Sequence, residues 1–143
     1  MNLLKIAKPA VTITSTDSVM DAIRKMRDAT VGAVLVVDDG QLEGVFTERD
    51  VMLRVVLEGR APDSTLVADV MTAPVLTISM DTRPDDALKT MWDRHIRHLP
   101  VVDAEGRVEA MVSIRHLLHD KVEQLAQELD SLEAFIAADG IGG

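Results

Sequence analysis

The sequence predicts an α/β protein built from two β-α-β-β-α units packed about a pseudo-twofold axis, with a long C-terminal helix. Three observations point there: an internal duplication, short apolar runs alternating with helical stripes in each copy, and a heptad-spaced apolar series near the end. The stretch from Pro9 to about Val55 returns from Pro74 to about Val122, at an offset of 65 residues that becomes 66 after a one-residue insertion. Identical residues recur at equivalent positions, among them Thr12/Thr77, Ile13/Ile78, Asp21/Asp86, Ala22/Ala87, Met26/Met91, Val36/Val101, Val37/Val102, Asp38/Asp103, Gly40/Gly106 and Arg49/Arg115. The period is too long, and the copies too few, for a solenoid. Two equal units packed about an axis leave a cleft where they meet, and function is expected there, above all where the copies differ.

The elements of copy one follow in order. Ala10–Thr14 is a short extended run. Asp17 or Ser18 can cap a helix whose apolar residues Val19, Ala22, Ile23 and Met26 form one buried stripe. Ala33–Val37 is a continuous apolar run, read as a strand buried on both faces. Asp38-Asp39-Gly40-Gln41 is hairpin chemistry, and Leu42–Phe46 is the return strand. Thr47 caps a helix from Glu48 to about Leu57, with Asp50 in the capping-box position.

Copy two repeats this order. Its first strand is expected at Val75–Ser79, and Pro84 stands in a first helical turn, where a missing N–H costs nothing. Ala87, Leu88 and Met91 form the stripe, then come Leu99–Val102, the turn Asp103–Gly106, Val108–Val112 and the cap Ser113. Residues 1–64 are read as the first unit with its linker Gly59–Thr65, residues 65–122 as the second, and 123–143 as a helical extension and tail.

That extension runs from Ser113 to about Ala137, with Asp139–Gly143 as a frayed end. Leu118, Val122, Leu125, Leu129, Leu132 and Ile136 are spaced 4, 3, 4, 3 and 4, an a/d seam. Two readings are open: a helix lying on its own domain, or one that pairs with a second chain.

Composition narrows the function. The chain has 143 residues, 47% of them hydrophobic, but only Phe46, Phe135 and Trp92 are aromatic, so the core is aliphatic. With no cysteine there is no disulfide scaffold, thiol nucleophile or Cys-ligated zinc. The N-terminal MNLLKIAKPA is too short and too soon interrupted for a secretory signal, and no run approaches a membrane span. A cytoplasmic protein is expected. A net charge of −9 argues against nucleic acid and makes any local cluster of arginines informative.

Thr47 and Asp50 are the first candidate site. A carboxylate three residues after a cap can accept hydrogen bonds from two vicinal hydroxyls, while the helix start offers free N–H groups to a phosphate. The same residues also read as a plain capping box. The pairs His95/His98 and His116/His119, each at i, i+3, could supply four imidazoles to a metal, although few carboxylates stand near them. No nucleophile with a base, acid/base pair or complete phosphate loop is recognisable, so no enzyme activity is expected.

Two copies of strand–helix–strand–strand–helix, each closed by a return strand and a Thr/Ser cap, resemble a tandem pair of cystathionine-β-synthase (CBS) domains, the Bateman module. The resemblance is carried by Gly44-Val45-Phe46-Thr47-Glu48-Arg49-Asp50, by His95–Asp103, by Val112–His116 and by Asp69-Val70-Met71-Thr72, and it covers about residues 5–122. It implies a sensor without an obligatory cofactor that binds an adenosine-containing ligand in the cleft and relays occupancy to a partner protein. AMP is the favoured ligand, with ATP, ADP, NAD and S-adenosylmethionine as alternatives, and a homodimer is the expected assembly. It further implies that Thr47 and Asp50 hold phosphate and ribose, that Arg97, His98 and Arg115 face the phosphate, and that Thr72, Val75, Leu76, Thr77 and Ile96 line the base pocket. The rival readings are a dimerisation scaffold with vestigial sites and a histidine-based metal sensor.

The copies differ where it matters. His116 stands at the equivalent of Asp50, and Gly32 and Ala33 stand at those of Arg97 and His98. One competent site per chain is therefore expected, with the second weak or empty.

Overall fold

A computed structural model describes residues 3–140. The first copy contains β1 (Thr12–Ile13), α1 (Val19–Ala29), β2 (Ala33–Asp38), β3 (Gln41–Thr47) and α2 (Glu48–Asp50), which continues as a π-helical segment over Val51–Val56. A short α3 (Val67–Val70) leads into α4 (Pro84–Arg94), β4 (His98–Val102), β5 (Val108–Ser113) and α5 (Ile114–Gly140). A 3-10 turn at Leu3–Lys5 precedes them all. Of the frayed end expected at Asp139–Gly143, Asp139 and Gly140 instead belong to α5, and residues 141–143 lie outside the described residues.

Helix α1 starts at Ser18, whose hydroxyl accepts the Asp21 N–H at 3.1 Å. It buries Val19, Ala22 and Met26, with Ile23 packed at the margin. It stops where Thr30 turns left-handed at φ 54°, and the equivalent His95 ends α4 in the same way at φ 56°. Pro84 does stand at the start of α4. The helix expected from Glu48 to about Leu57 is α-helical only in its first turn. Beyond it the bonding shifts to i→i−5, as in Leu57 N–H to the Met52 carbonyl at 3.0 Å.

Unit one has a three-stranded sheet in the order β1-β2-β3, with β1 parallel and β3 antiparallel to β2. Unit two has only the hairpin β4-β5. The strand expected at Val75–Ser79 is reduced to a single parallel bridge between Ile78 and Val101. The reason is chemical. In unit one the Leu35 N–H ties β2 to the Val11 carbonyl at 2.9 Å, but the equivalent of Leu35 is Pro100, which has no N–H to give.

Each unit has its own apolar core, aliphatic in unit two but in unit one built around the fully buried ring of Phe46, and the chain crosses over to fill them. Val67 and Val70 of α3, just before copy two, are buried with Val19, Met26, Val34 and Phe46 of unit one. Leu3 and Ile6, just before copy one, are buried with Met91, Leu99 and Val112 of unit two. The segments after them cross in the same sense. Thr72 exchanges both backbone hydrogen bonds with Val45 on β3, and Lys8 does so with Met111 on β5. Val45 and Met111 are equivalent positions, so the exchange is symmetric.

The two sheets meet over a third apolar cluster of Ala33, Leu35 and Met111, flanked by Val37, Leu42, Val45 and Val108. Gln41 bridges Arg107, its own equivalent in the other copy. A residue that pairs with its own counterpart marks where the pseudo-twofold axis passes. The resulting architecture is two α/β units about that axis, with α5 extending away. No helix among the described residues is long and apolar enough to cross a membrane.

Candidate functional site

At the end of β3 the chain makes the capping box that the sequence suggests. Thr47 Oγ1 accepts the Asp50 N–H at 3.2 Å, and Asp50 Oδ2 accepts the Thr47 N–H at 3.0 Å. The Thr47 hydroxyl also donates to Asp50 Oδ2 at 3.2 Å. Asp50 is buried, and its second oxygen turns towards the lead-in of the other unit, where it accepts the Thr72 hydroxyl at 3.0 Å. Thr47, Asp50 and Thr72 are therefore joined in one hydrogen-bonded group.

Gly44 makes this meeting sterically possible. A Cβ there would lie 2.6 Å from Met71 Sδ and 2.9 Å from the Thr72 carbonyl oxygen. The close approach that the glycine permits is made by the chain's own Met71 and Thr72.

Sequence reasoning missed Arg54. Its guanidinium lies 3.6 Å from Asp50 Oδ1 and donates to the Met71 carbonyl at 3.0 Å. It holds the carboxylate and the lead-in together from the open side. The i, i+4 spacing from Asp50 was the available signal.

Among the described residues, none of the remaining candidates bonds to this group. Arg97 is exposed, and its carbonyl accepts the Ile114 N–H at 2.8 Å, fastening the start of β4 to that of α5. His98, half-buried, pairs with Ser113 in the hairpin. Burial pushes its pKa down, Glu48 of unit one pushes it back up, and Arg97 lowers it again. Residues of opposite units thus act on one another beside the first turn of α2.

Arg115 lines a cleft of about 570 Å³ with Met26, Thr30, Gly32, Glu48 and Val51 of unit one. Neither Thr47 nor Asp50 lines that cleft, and among the described residues no ion pair joins Asp50 to Arg97 or Arg115. Arg115 reaches across the axis because its own helix starts there, but it arrives on the Glu48 side of α2. Val75 and Thr77 are half-buried, and Leu76 is exposed. Ile96 packs against the core of unit two.

The equivalent corner of unit two is built differently. The Ser113 hydroxyl meets the His116 Nδ1 and accepts the His116 N–H at 3.3 Å, so an imidazole takes the carboxylate's place. Burial, then Lys8, Arg115 and His119, push the His116 pKa down. Gly32, at the equivalent of Arg97, is covered by the Glu48 carboxylate, which a Cβ at that position would strike. His95 ends α4 at the surface, and among the described residues no group of three or more His, Asp or Glu could hold a metal ion.

The CBS domain family model matches residues 4–57 and 67–123, one match on each repeat. The chain belongs to the CBS domain family. It is 37% identical over 128 residues to the mitochondrial CBS domain-containing protein CBSX3 of Arabidopsis thaliana, an overlap of 86% of this chain and 62% of that one. The chain thus spans less than two thirds of that relative. The cytosolic domain of the Mg2+ channel MgtE, solved in complex with ATP, superposes with a TM-score of 0.67 at 29% identity, over 80% of this chain and 46% of that one. The CBS domain pair of MJ0100, solved with 5′-methylthioadenosine and S-adenosyl-L-methionine, shares the fold with a TM-score of 0.79 at 24% identity, over 87% and 98% of the two chains. Within this CBS pair, the first repeat carries the acidic corner and the second the imidazole corner.

Proposed function

We propose that this CBS pair is a regulatory module, not an enzyme, that binds an adenosine-containing ligand between its repeats. AMP is the favoured ligand, with ATP, ADP, NAD and S-adenosylmethionine as alternatives. The observation that carries the reading is the buried Asp50, held by the Thr47 cap of one unit and the Thr72 hydroxyl of the other unit's lead-in. A ribose diol would exchange with the Thr72 hydroxyl as donor to that carboxylate. The adenine would lie against Val75, Leu76, Thr77 and Ile96, and the phosphate would face Arg97, His98 and Arg115. The ligands of MJ0100 and of MgtE support the adenosine class.

By bridging Thr47 and Asp50 of one unit to Arg97 and Arg115 of the other, an occupant would fix the angle between the units, and a homodimer of such pairs would report it to a partner protein. Calorimetric titration of AMP, ATP and S-adenosylmethionine into the wild type and Asp50→Asn tests the assignment. A charged hydrogen bond contributes about 1.5–3 kcal/mol, so the variant should bind roughly 10- to 150-fold more weakly. Equal affinities would reject it. A dimerisation scaffold with vestigial sites would show no thermal shift with any nucleotide, whereas a ligand at 100 times its Kd should add about 2.7 kcal/mol.

A further inference from the structure

Among the described residues, the outer half of α5 has no support from its own domain. Ile114 and Leu117 anchor the helix on the core of unit two, and Lys121 reaches Asp85 of α4 at 3.2 Å. Leu117, Lys121 and the half-buried Gln124 thus form the side turned to the domain. The seam residues Leu118, Val122, Leu125, Leu129, Leu132 and Ile136 stand on another side and are 45–64% exposed. From Leu125 to Ala138 every residue is exposed. A lone helical arm of that length is marginal in water, and a contiguous apolar stripe marks an association surface.

From these observations we infer that the seam pairs with the same seam of a second copy, antiparallel, about a twofold axis beside Gln127. The spacing 4, 3, 4, 3, 4 reads the same in both directions. An antiparallel copy therefore sets Leu118 against Ile136, Val122 against Leu132 and Leu125 against Leu129, closing six layers over roughly 28 Å. Flanking charges select this direction. Parallel pairing would set Glu128 against Glu133 of the other chain on both sides. Antiparallel pairing sets His119 against Glu133 twice and lays the Lys121 stem over Phe135, itself 64% exposed. Its single like-charge contact is Glu128 with its own counterpart.

This inference rests on the homodimer in the proposed function, not on the ligand. The chain has no cysteine, so Val122→Cys and Leu132→Cys can be placed singly and oxidised alone or mixed. The mixture should cross-link, and neither variant should do so alone. Cross-linking of either variant alone would overturn the direction. A full-length chain that sediments as a dimer but does not cross-link in the mixture would overturn the seam and leave the homodimer standing. Leu125→Glu with Leu129→Glu should weaken association by ~100-fold or more while the domain's thermal unfolding persists, since both side chains already face solvent. Undiminished association of that variant would also overturn the seam.

Discussion

The Thr72 hydroxyl donates to Asp50 Oδ1 at 3.0 Å, tying the lead-in of the second CBS repeat to the first turn of α2 in the first. The bond joins residues 22 apart in sequence across the place where the chain changes unit. Thr72→Val keeps the shape and deletes this donor. A net hydrogen bond to a buried carboxylate contributes about 1.5–3 kcal/mol, so Tm should fall by roughly 4–10 °C for a chain this size. An unchanged Tm in scanning calorimetry would show that the tie contributes nothing.

Gly44→Ala should be more damaging than its single methyl suggests. The Met71 sulfur 2.6 Å from the new Cβ can swing aside, but the Thr72 carbonyl at 2.9 Å is backbone and already accepts the Val45 N–H. Overpacking of this kind costs about 1–3 kcal/mol. The paired segments should separate, so urea unfolding should move to a lower midpoint and amide exchange at Val45 and Thr72 should quicken. Wild-type exchange at both amides would contradict this.

Stability should rise with pH through the histidine range. His98 and His116 have folded pKa values below the ordinary 6.5, so the folded chain holds fewer protons than the unfolded one between the lowered values and about 6.5. Their contribution is complete above about pH 6.5 and is lost as pH falls through the lowered values. His98→Gln should flatten the slope of Tm against pH between 7.5 and 5, as read by differential scanning fluorimetry. A variant with the wild-type slope would assign that dependence to other groups.

Calorimetry should give one adenosine ligand per chain. Asp50 has no carboxylate counterpart in the second repeat, where His116 meets Ser113 and stands among Lys8, Arg115 and His119. Gly32, at the equivalent of Arg97, offers no cation and is covered by Glu48. Two equal sites per chain would mean that this corner binds by other contacts.

Sequence by itself determined what depends on neighbours along the chain. The duplication, the α1 and α4 stripes, both hairpins, the Thr47–Asp50 capping box and the spacing of the seam are all short-range patterns. They read correctly because caps and stripes are satisfied within one or two turns of helix. Tertiary structure decided what depends on partners distant in sequence. It sent Val67 and Val70 into the first core and Leu3 and Ile6 into the second, and so brought Thr72 to Asp50. It turned Pro100 from a bland strand residue into the lost donor that reduced the Val75–Ser79 strand to one bridge. It also set Arg115 beside Glu48 and left the seam uncovered by its own domain. None of these can be read locally, because a buried side chain or an unpaired N–H takes its partner from whichever segment the fold brings past it.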